Sequence, residues 1–217
     1  MTIIYCYDAY CGWCYGFSPV IKKIAEEFQK EFRFEVLSGG MILPEQPQPI
    51  TVIADFMKDN CKRVEELTGA QFGPDFMFHL DRAEDSDWFP NSEKPAIALC
   101  VLKEYMPDKA VQIAADLQYA LYYEGRDLTD DEAYRHLLHE YNIDADEFYT
   151  RLRSETYKEK AYYEFQLVKQ LKVESYPQVL LQVSDSKFYL LAKGYTDYDT
   201  FHQTISSVLI QIQSAQN

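Results

Sequence analysis

The spacing of apolar and polar positions near the start of the chain predicts a strand, a helix and a second strand. Residues 2–8, "TIIYCYD", form a short run rich in β-forming apolar side chains. In residues 15–32 the apolar side chains recur every three or four positions, with charges on the opposite face. Residues 33–40, "RFEVLSGG", return to a strand-like pattern and stop at two glycines. With such short connections, these elements are expected to form a βαβ unit with parallel strands.

The long middle segment, residues 50–172, has no convincing strand pattern, and helix signals recur along it. One predicted helix, "TVIADFMKDNCKRVEELTG", places Phe56 and Leu67 on its apolar side and ends at a glycine. Another begins at Ser92, a residue type that caps helix N-termini. Residues 70–91 carry Gly-Pro and Phe-Pro pairs and predict a long loop with about one turn of helix.

Strand patterns return after this helical segment. Residues 178–183, "QVLLQV", and 187–194, "KFYLLAKG", are separated by "SDS" and predict a hairpin, and an amphipathic helix follows. A βαβ half and a ββα half together make a thioredoxin fold. The sequence therefore predicts an α/β protein, with a thioredoxin-fold domain formed by residues 1–48 and 173–217 and a helical insertion domain formed by residues 49–172.

The stretch "DAYCGWCYGFSP" places Cys11 and Cys14 between the first predicted strand and the first predicted helix. Unpaired backbone N–H groups and the helix dipole favour a thiolate at such a position. There the pKa of a cysteine falls from about 8.5 toward ~3.5–7.5. Two intervening residues let both sulfurs meet on one helical turn, so a disulfide can form. We expect Cys11 to be the exposed nucleophile and Cys14 to be the shielded resolving thiol.

A second candidate element is "ESYPQVLL", in which Pro177 stands directly before a predicted strand. At such a position a cis X-Pro bond is a deliberate structural feature. A cis bond would turn the backbone of Tyr176 outward, where its N–H and C=O could pair with an extended substrate peptide. Tyr176 and Pro177 are therefore predicted to bind the substrate.

A metal site is the main rival to a redox couple for the two cysteines. It needs three or four ligands, and no second Cys-x-x-Cys motif is present. The remaining cysteines and the four histidines are scattered, so no metal is predicted. Cys6, Cys61 and Cys100 fall on apolar faces and are predicted to be inert buried thiols.

Composition narrows the classes of partner. The net charge of −14 and the lack of any basic run argue against nucleic-acid binding. The longest apolar run, "AIALCVL", is too short to cross a bilayer, and the N-terminus lacks the features of a signal peptide. We expect a cytoplasmic protein without a membrane partner. In a reducing compartment a Cys-x-x-Cys pair is more often catalytic or metal-binding than structural.

Taken together, "DAYCGWCYGFSP", the helical insertion, "SYPQVLL" and "LAKGYTDYDTF" resemble the DsbA-like thiol-disulfide oxidoreductases, nearest to the FrnE-like branch. The resemblance spans the whole chain. It implies a redox role for Cys11 and Cys14, with Pro177 as the cis-proline beside them. Asp8 matches an acidic residue common in that branch, and Gly194 matches the glycine that usually precedes the final helix.

Three positions depart from the family pattern. Gly12 and Trp13, between the cysteines, are neither the Pro-His of strong oxidants nor the Gly-Pro of thioredoxins. Tyr176 is bulkier than the Val or Thr usual before the proline. These positions, together with Asp8, are predicted to tune the redox couple or the choice of substrate.

The favoured function is thiol-disulfide exchange with protein or small thiol substrates, with no metal or prosthetic group and with glutathione or another thiol as the electron partner. Two alternatives stay open. One is a glutathione-dependent isomerase or transferase on a small molecule, whose relatives carry Ser where Cys11 stands and lack the second thiol. The other is a non-enzymatic adaptor that uses the fold to hold a partner. Replacing Cys11 with Ser distinguishes the three.

Overall fold

The computed structural model describes residues 1–214, so the last three residues of the predicted thioredoxin-fold domain lie outside the described part. Within residues 1–214 the chain forms four β-strands and nine α-helices. The strands are β1 (Thr2–Tyr7), β2 (Arg33–Ser38), β3 (Gln178–Ser184) and β4 (Lys187–Lys193). The helices are α1 (Gly12–Phe28), α2 (Ala54–Thr68), α3 (Pro74–Asp81), α4 (Glu93–Tyr105), α5 (Ala110–Tyr122), α6 (Arg135–Glu140), α7 (Ala145–Leu152), α8 (Glu155–Gln170) and α9 (Tyr198–Ser214). Short 3₁₀ helices span Ile50–Val52, Ala83–Asp85, Pro107–Lys109 and Asp131–Tyr134.

The four strands form one mixed sheet in the order β2-β1-β3-β4. β1 pairs in parallel with β2 and antiparallel with β3, and Ile3 lies between Phe34 and Leu181. β3 and β4 form the antiparallel hairpin that the sequence predicts. The βαβ and ββα halves therefore meet along β1 and β3, and the predicted thioredoxin fold is confirmed.

Side chains alternate between two apolar layers along β1. Ile3 and Tyr5 belong to the large core, which also contains Phe17 of α1 and Leu117 of α5. Ile4 and Cys6 face the other side, where they join a smaller cluster that includes Val168 of α8. The helices between β2 and β3 thus cover both faces of the sheet. The division into two separate domains stays a prediction.

The helical segment differs from the sequence prediction in two respects. Phe56 and Leu67 are 75% and 66% exposed, because α2 buries a narrow stripe of other residues, among them Met57 and Val64. Both residues lie to one side of that stripe. The expected long loop after α2 contains the two-turn helix α3, since buried Phe76 and other apolar side chains anchor it in the core.

An ion pair between α4 and α8 attaches both helices to β2. The Lys103 ammonium contacts the carboxylate of Glu164, and both side chains are largely buried. Lys103 Nζ also donates to the Val36 carbonyl at 2.8 Å, while Glu164 Oε2 accepts the Ser38 N–H at 2.9 Å. Val36 and Ser38 lie on the edge strand of the sheet. The two side chains thereby satisfy backbone groups that have no neighbouring strand.

Helices α1 and α2 approach each other closely at two glycines. A Cβ at Gly16 would lie 2.8 Å from Val64 Cγ1 and 2.8 Å from Thr68 Oγ1. A Cβ at Gly12 would meet chiefly the end of the Asn60 side chain, at 3.0 Å. Because Gly12 faces Asn60 and Gly16 faces Thr68, the two helices run in the same direction. The middle of α2 therefore lies beside the start of α1.

We expect Gly16→Ala to lower the free energy of unfolding. Overpacking a well-packed interface costs typically about 1–3 kcal/mol, which outweighs the gain of up to ~1 kcal/mol from better helix propensity. Urea unfolding of the two proteins measures the difference. Gly12→Ala is the matched control and should cost less, because the flexible end of Asn60 can move aside. A Gly16→Ala protein as stable as the wild type would contradict the close approach of the helices.

Candidate functional site

The first of the two motif cysteines is the N-cap of α1. Cys11 has an extended backbone conformation, with φ −88° and ψ 104°, and its carbonyl accepts the Tyr15 N–H at 3.1 Å. Its sulfur accepts a hydrogen bond from the Cys14 N–H at 3.2 Å. A sulfur therefore occupies the place where a side-chain oxygen normally satisfies the first free N–H groups of a helix.

The second cysteine lies one turn farther into the helix and is fully buried. Burial raises the pKa of the Cys14 thiol well above its usual range, and a hydrogen bond to the Cys11 sulfur raises it further. Cys14 is therefore a neutral thiol at physiological pH. Both cysteines are free thiols in this structure.

The expectation that Cys11 is exposed is wrong, because the residue is only 5% exposed. Helices of the long middle segment cover the motif. The side chains of Asn60 and Phe72 lie beside Gly12, and Gln118 of α5 hydrogen-bonds to the Cys11 carbonyl. These contacts leave the Cys11 sulfur largely covered in this conformation.

Asp8 follows β1 directly and is fully buried. Its carboxylate accepts hydrogen bonds from Tyr10 N at 3.0 Å, Met41 N at 2.7 Å and Ser92 Oγ at 2.8 Å. Burial raises the pKa of Asp8, and the hydrogen bonds from Met41 and Tyr10 oppose that shift without cancelling it. The carboxyl lies close enough to the motif that its charge contributes to the raised pKa of Cys14.

Two polar residues of the site were not identified from the sequence as site residues. Ser92 precedes α4 as predicted, but its hydroxyl makes no cap bond and instead donates to Asp8. Gln118 is fully buried in α5 and donates to the backbone carbonyls of Asp8 and Cys11. No local pattern marks either residue, since each meets the motif only through the tertiary fold.

The predicted substrate-binding pair is tied to the same region. The peptide bond between Tyr176 and Pro177 is cis. The tyrosine ring packs on Gly39, where an added Cβ would lie 2.1 Å from the ring carbon Cζ. Tyr176 Oη donates to the Gly39 carbonyl at 3.1 Å, and two residues later Met41 is bonded to Asp8. Residues 39–41 therefore connect the tyrosine with the buried carboxyl, and only glycine leaves room for the ring.

The two residues between the cysteines have different surroundings. Gly12 is buried against α2, and Trp13 is half-buried and packs against the main core. Their predicted role in tuning the redox couple stays a prediction.

The three other cysteines are buried, as predicted. Burial raises the pKa of Cys6 and of Cys61 to about 12, and it raises the pKa of Cys100 as well. Among residues 1–214, no three His, Cys, Asp or Glu side chains converge as a metal-binding group would require. Nor does any helix in that range have the length and apolar character needed to span a bilayer.

In the folded, reduced protein we expect iodoacetamide at pH 7 to modify Cys11 and to spare Cys6, Cys14, Cys61 and Cys100. The thiolate is the reactive species, and raised pKa values keep the other four sulfurs protonated. Peptide mass spectrometry after a timed reaction measures the modification at each site. Protein unfolded in urea is the control and should react at all five. Equal rates at Cys11 and Cys14 in the folded protein would show that the two sulfurs are not differentiated.

Replacing Asp8 with Asn should change how stability depends on pH. A folded-state pKa above the unfolded value of about 3.9 means that the folded protein binds this proton more tightly. The contribution of Asp8 to stability is therefore fully present below about pH 4 and is lost as the pH rises through the folded pKa. Asn does not titrate. The free energy of unfolding of the wild type, relative to that of Asp8→Asn, should therefore decrease as the pH rises from 4 to 8. Urea unfolding across this range measures it, and a difference that rises with pH would reverse the assigned direction.

Comparison with known proteins agrees with this architecture. The sequence matches the DSBA-like thioredoxin domain family over residues 2–206. Among curated proteins no sequence match is found. A solved structure of a candidate protein disulfide isomerase from Nitrosomonas europaea is similar, with 22% identity and a TM-score of 0.83, covering 97% of this chain and 98% of that chain.

Two further solved structures share the fold. The cytosolic disulfide reductase DsbM from Pseudomonas aeruginosa with GSH has 22% identity and a TM-score of 0.73, covering 96% of this chain and 99% of that chain. A 2-hydroxychromene-2-carboxylate isomerase has 13% identity and a TM-score of 0.63, and each chain is covered completely. At these identities the structural likeness shows the fold alone. Because the family match extends over nearly its whole length, the chain belongs to the DSBA-like thioredoxin domain family.

Proposed function

We propose that the protein is a thiol-disulfide oxidoreductase whose redox couple is Cys11 and Cys14. The observation that carries the proposal is the Cys11 sulfur at the N-cap of α1, hydrogen-bonded to the N–H of a buried, neutral Cys14. Helix N-termini favour negative charge, so the Cys11 sulfur is suited to attack a disulfide as a thiolate, while Cys14 stays protonated until the second step. Membership of the DSBA-like family supports this assignment.

The exchange has two steps when the protein acts as a reductant. The Cys11 thiolate attacks one sulfur of a substrate disulfide, the S–S bond breaks, and the released substrate sulfur takes a proton from solvent. Cys14 then loses its proton to solvent and attacks the Cys11 sulfur of this mixed disulfide, releasing the second substrate sulfur, which is protonated in turn. The substrate gains two electrons and two protons, and the protein is left with a Cys11–Cys14 disulfide. The reverse sequence oxidises a dithiol.

Tyr176 and Pro177 are proposed to contact the substrate during this exchange. Burial raises the pKa of Tyr176, and nearby charges add to the shift, that of Asp8 foremost, followed by those of Cys6 and the two motif cysteines, which supports this proposal. Its ring is held on Gly39 by packing and by the hydrogen bond to the Gly39 carbonyl, which limits the movement of Tyr176. Asp8 and the two residues between the cysteines are proposed to tune the redox potential.

Glutathione, or another small thiol, is the proposed electron partner. Two thiol groups of the partner are oxidised to one disulfide. Their two electrons reduce the Cys11–Cys14 disulfide of the protein back to two thiols. DsbM, which shares the fold, is a cytosolic reductase whose structure was determined with GSH. A cytoplasmic location for this chain is proposed on the same basis, together with its five free cysteines.

A glutathione-dependent isomerase is the second candidate, and the shared fold with 2-hydroxychromene-2-carboxylate isomerase is the observation that favours it. The presence of both Cys11 and Cys14 counts against it, because an isomerase needs no resolving thiol. The adaptor alternative needs neither sulfur.

We expect the wild-type protein to reduce insulin or oxidised glutathione with a thiol as reductant, and Cys11→Ser to lower that rate at least about 100-fold, because it removes the nucleophile. Cys14→Ser should instead accumulate a mixed disulfide between Cys11 and glutathione, because the resolving thiol is missing. Rates of disulfide reduction and intact-protein mass spectrometry measure the two effects.

Cys61→Ser is the matched control, since Cys61 is a buried cysteine outside the motif, and it should keep wild-type activity. A Cys11→Ser protein that still reduces disulfides at the wild-type rate would refute the proposal. If Cys11→Ser retains partial activity on a small molecule, the result favours the isomerase. A wild-type protein without any exchange activity would favour the adaptor.

A further inference from the structure

We infer that Gln118 is a positioning residue for the redox couple. Its side chain reaches from α5 into the turn between β1 and α1 and holds the backbone on which both cysteines stand. The inference rests on the proposed function of Cys11 and Cys14, and it gives a residue of the helical segment a part in that function.

The contacts of Gln118 define the orientation of its amide. The side chain is fully buried, and Nε2 donates to the Asp8 carbonyl at 3.0 Å and to the Cys11 carbonyl at 3.2 Å. Both partners can only accept, so this end of the amide is the nitrogen. Oε1 lies 3.1 Å from Ser18 Oγ, which is also 3.1 Å from the Cys14 carbonyl. One amide therefore binds the backbone at Asp8 and Cys11, and its oxygen shares the single Ser18 hydroxyl proton with the Cys14 carbonyl.

These bonds close the turn that places the Cys11 sulfur. The Asp8 carbonyl accepts two hydrogen bonds, one from the Cys11 N–H at 3.1 Å and one from Gln118. With residues 8–11 held in this way, the Cys11 side chain is aimed at the helix start, where its sulfur accepts the Cys14 N–H. A small rotation of this turn would move the sulfur away from that N–H group.

The backbone groups that Gln118 contacts do not depend on it for satisfaction. Without the amide, the Asp8 carbonyl would still accept a hydrogen bond from the Cys11 N–H, and the Cys11 carbonyl would still accept one from the Tyr15 N–H. The Ser18 hydroxyl would still have the Cys14 carbonyl as its acceptor. Burying an amide also costs desolvation energy that an apolar side chain would not incur. The amide is thus not needed to avoid unpaired polar groups, and its specific contribution is the geometry of the motif.

An electrostatic effect accompanies the positioning. A donor on the Cys11 carbonyl polarises the peptide group that Cys11 shares with Gly12. The N–H of that peptide group belongs to the first turn of α1, where N–H groups lack helical partners. Its partial positive charge increases, which favours negative charge on the neighbouring Cys11 sulfur.

Gln118→Met tests the inference, because methionine is similar in length and unbranched but donates no hydrogen bond. The rate at which iodoacetamide modifies Cys11 at pH 7 should fall about 3- to 10-fold, the size expected for the loss of one hydrogen bond. The equilibrium with glutathione should shift toward the Cys11–Cys14 disulfide by a similar factor, because the reduced form loses the stabilisation of its thiolate.

Gln112→Met is the matched control on the same helix. Gln112 donates to Asp116 at 2.6 Å on the same helix, so its replacement should leave both the alkylation rate of Cys11 and the glutathione equilibrium unchanged. Ser18→Ala is a second test that changes the core less. Ser18→Ala removes the hydroxyl that contacts Gln118 Oε1. The alkylation rate of Cys11 and the glutathione equilibrium should shift in the same direction as in Gln118→Met, by a smaller factor.

The inference is overturned if Gln118→Met lowers stability but leaves the alkylation rate of Cys11 and the glutathione equilibrium at wild-type values. If Gln118→Met does not fold, Ser18→Ala decides, and wild-type values for that variant overturn the inference. Absence of disulfide exchange in the wild-type protein would defeat the proposed function instead. The alkylation rate still tests Gln118 in that case, because it requires no turnover.

Discussion

The hydrogen bond from the Cys14 N–H to the Cys11 sulfur is the interaction on which the site depends. A helix start needs acceptors for its free N–H groups, and oxygen-bearing side chains usually supply them. A neutral thiol is a weak acceptor, whereas a thiolate is a strong one. The same bond therefore completes α1 and would stabilise a thiolate at Cys11, the proposed nucleophile, so that helix formation and the proposed reactivity are linked.

The site is assembled from both parts of the chain. The βαβ half supplies Asp8 and the two cysteines, while α5 supplies Gln118 and the start of α4 supplies Ser92. The helical segment also covers the motif, which is why Cys11 is only 5% exposed. A helical segment that merely extended the surface would leave the first cysteine open to solvent. Here it provides hydrogen bonds to the motif and buries both sulfurs, which strengthens electrostatic interactions around them.

Features with a local pattern could be predicted from the sequence, and features made by distant contacts could not. The strands, α1 and the hairpin follow from the spacing of apolar residues, and the cysteines were recognisable because they fall where strand-like spacing changes to helical spacing. Ser92 and Gln118 meet Asp8 across 84 and 110 residues of sequence, and nothing near them indicates that contact. The exposure of Phe56 shows a related limit, since a periodic pattern indicates an apolar side without showing how wide a stripe the neighbouring helix covers.

The ion pair of Lys103 and Glu164 has a consequence for how this protein meets other chains. Sheets with bare outer strands are prone to edge-to-edge association, because exposed N–H and C=O groups can recruit a further strand. On β2 the Val36 carbonyl and the Ser38 N–H are already bonded to these two side chains. A foreign strand docking there would have to displace both charged side chains from these backbone groups, and largely buried charges would lose hydrogen-bond partners, which is costly. At these positions the ion pair protects the sheet against self-assembly.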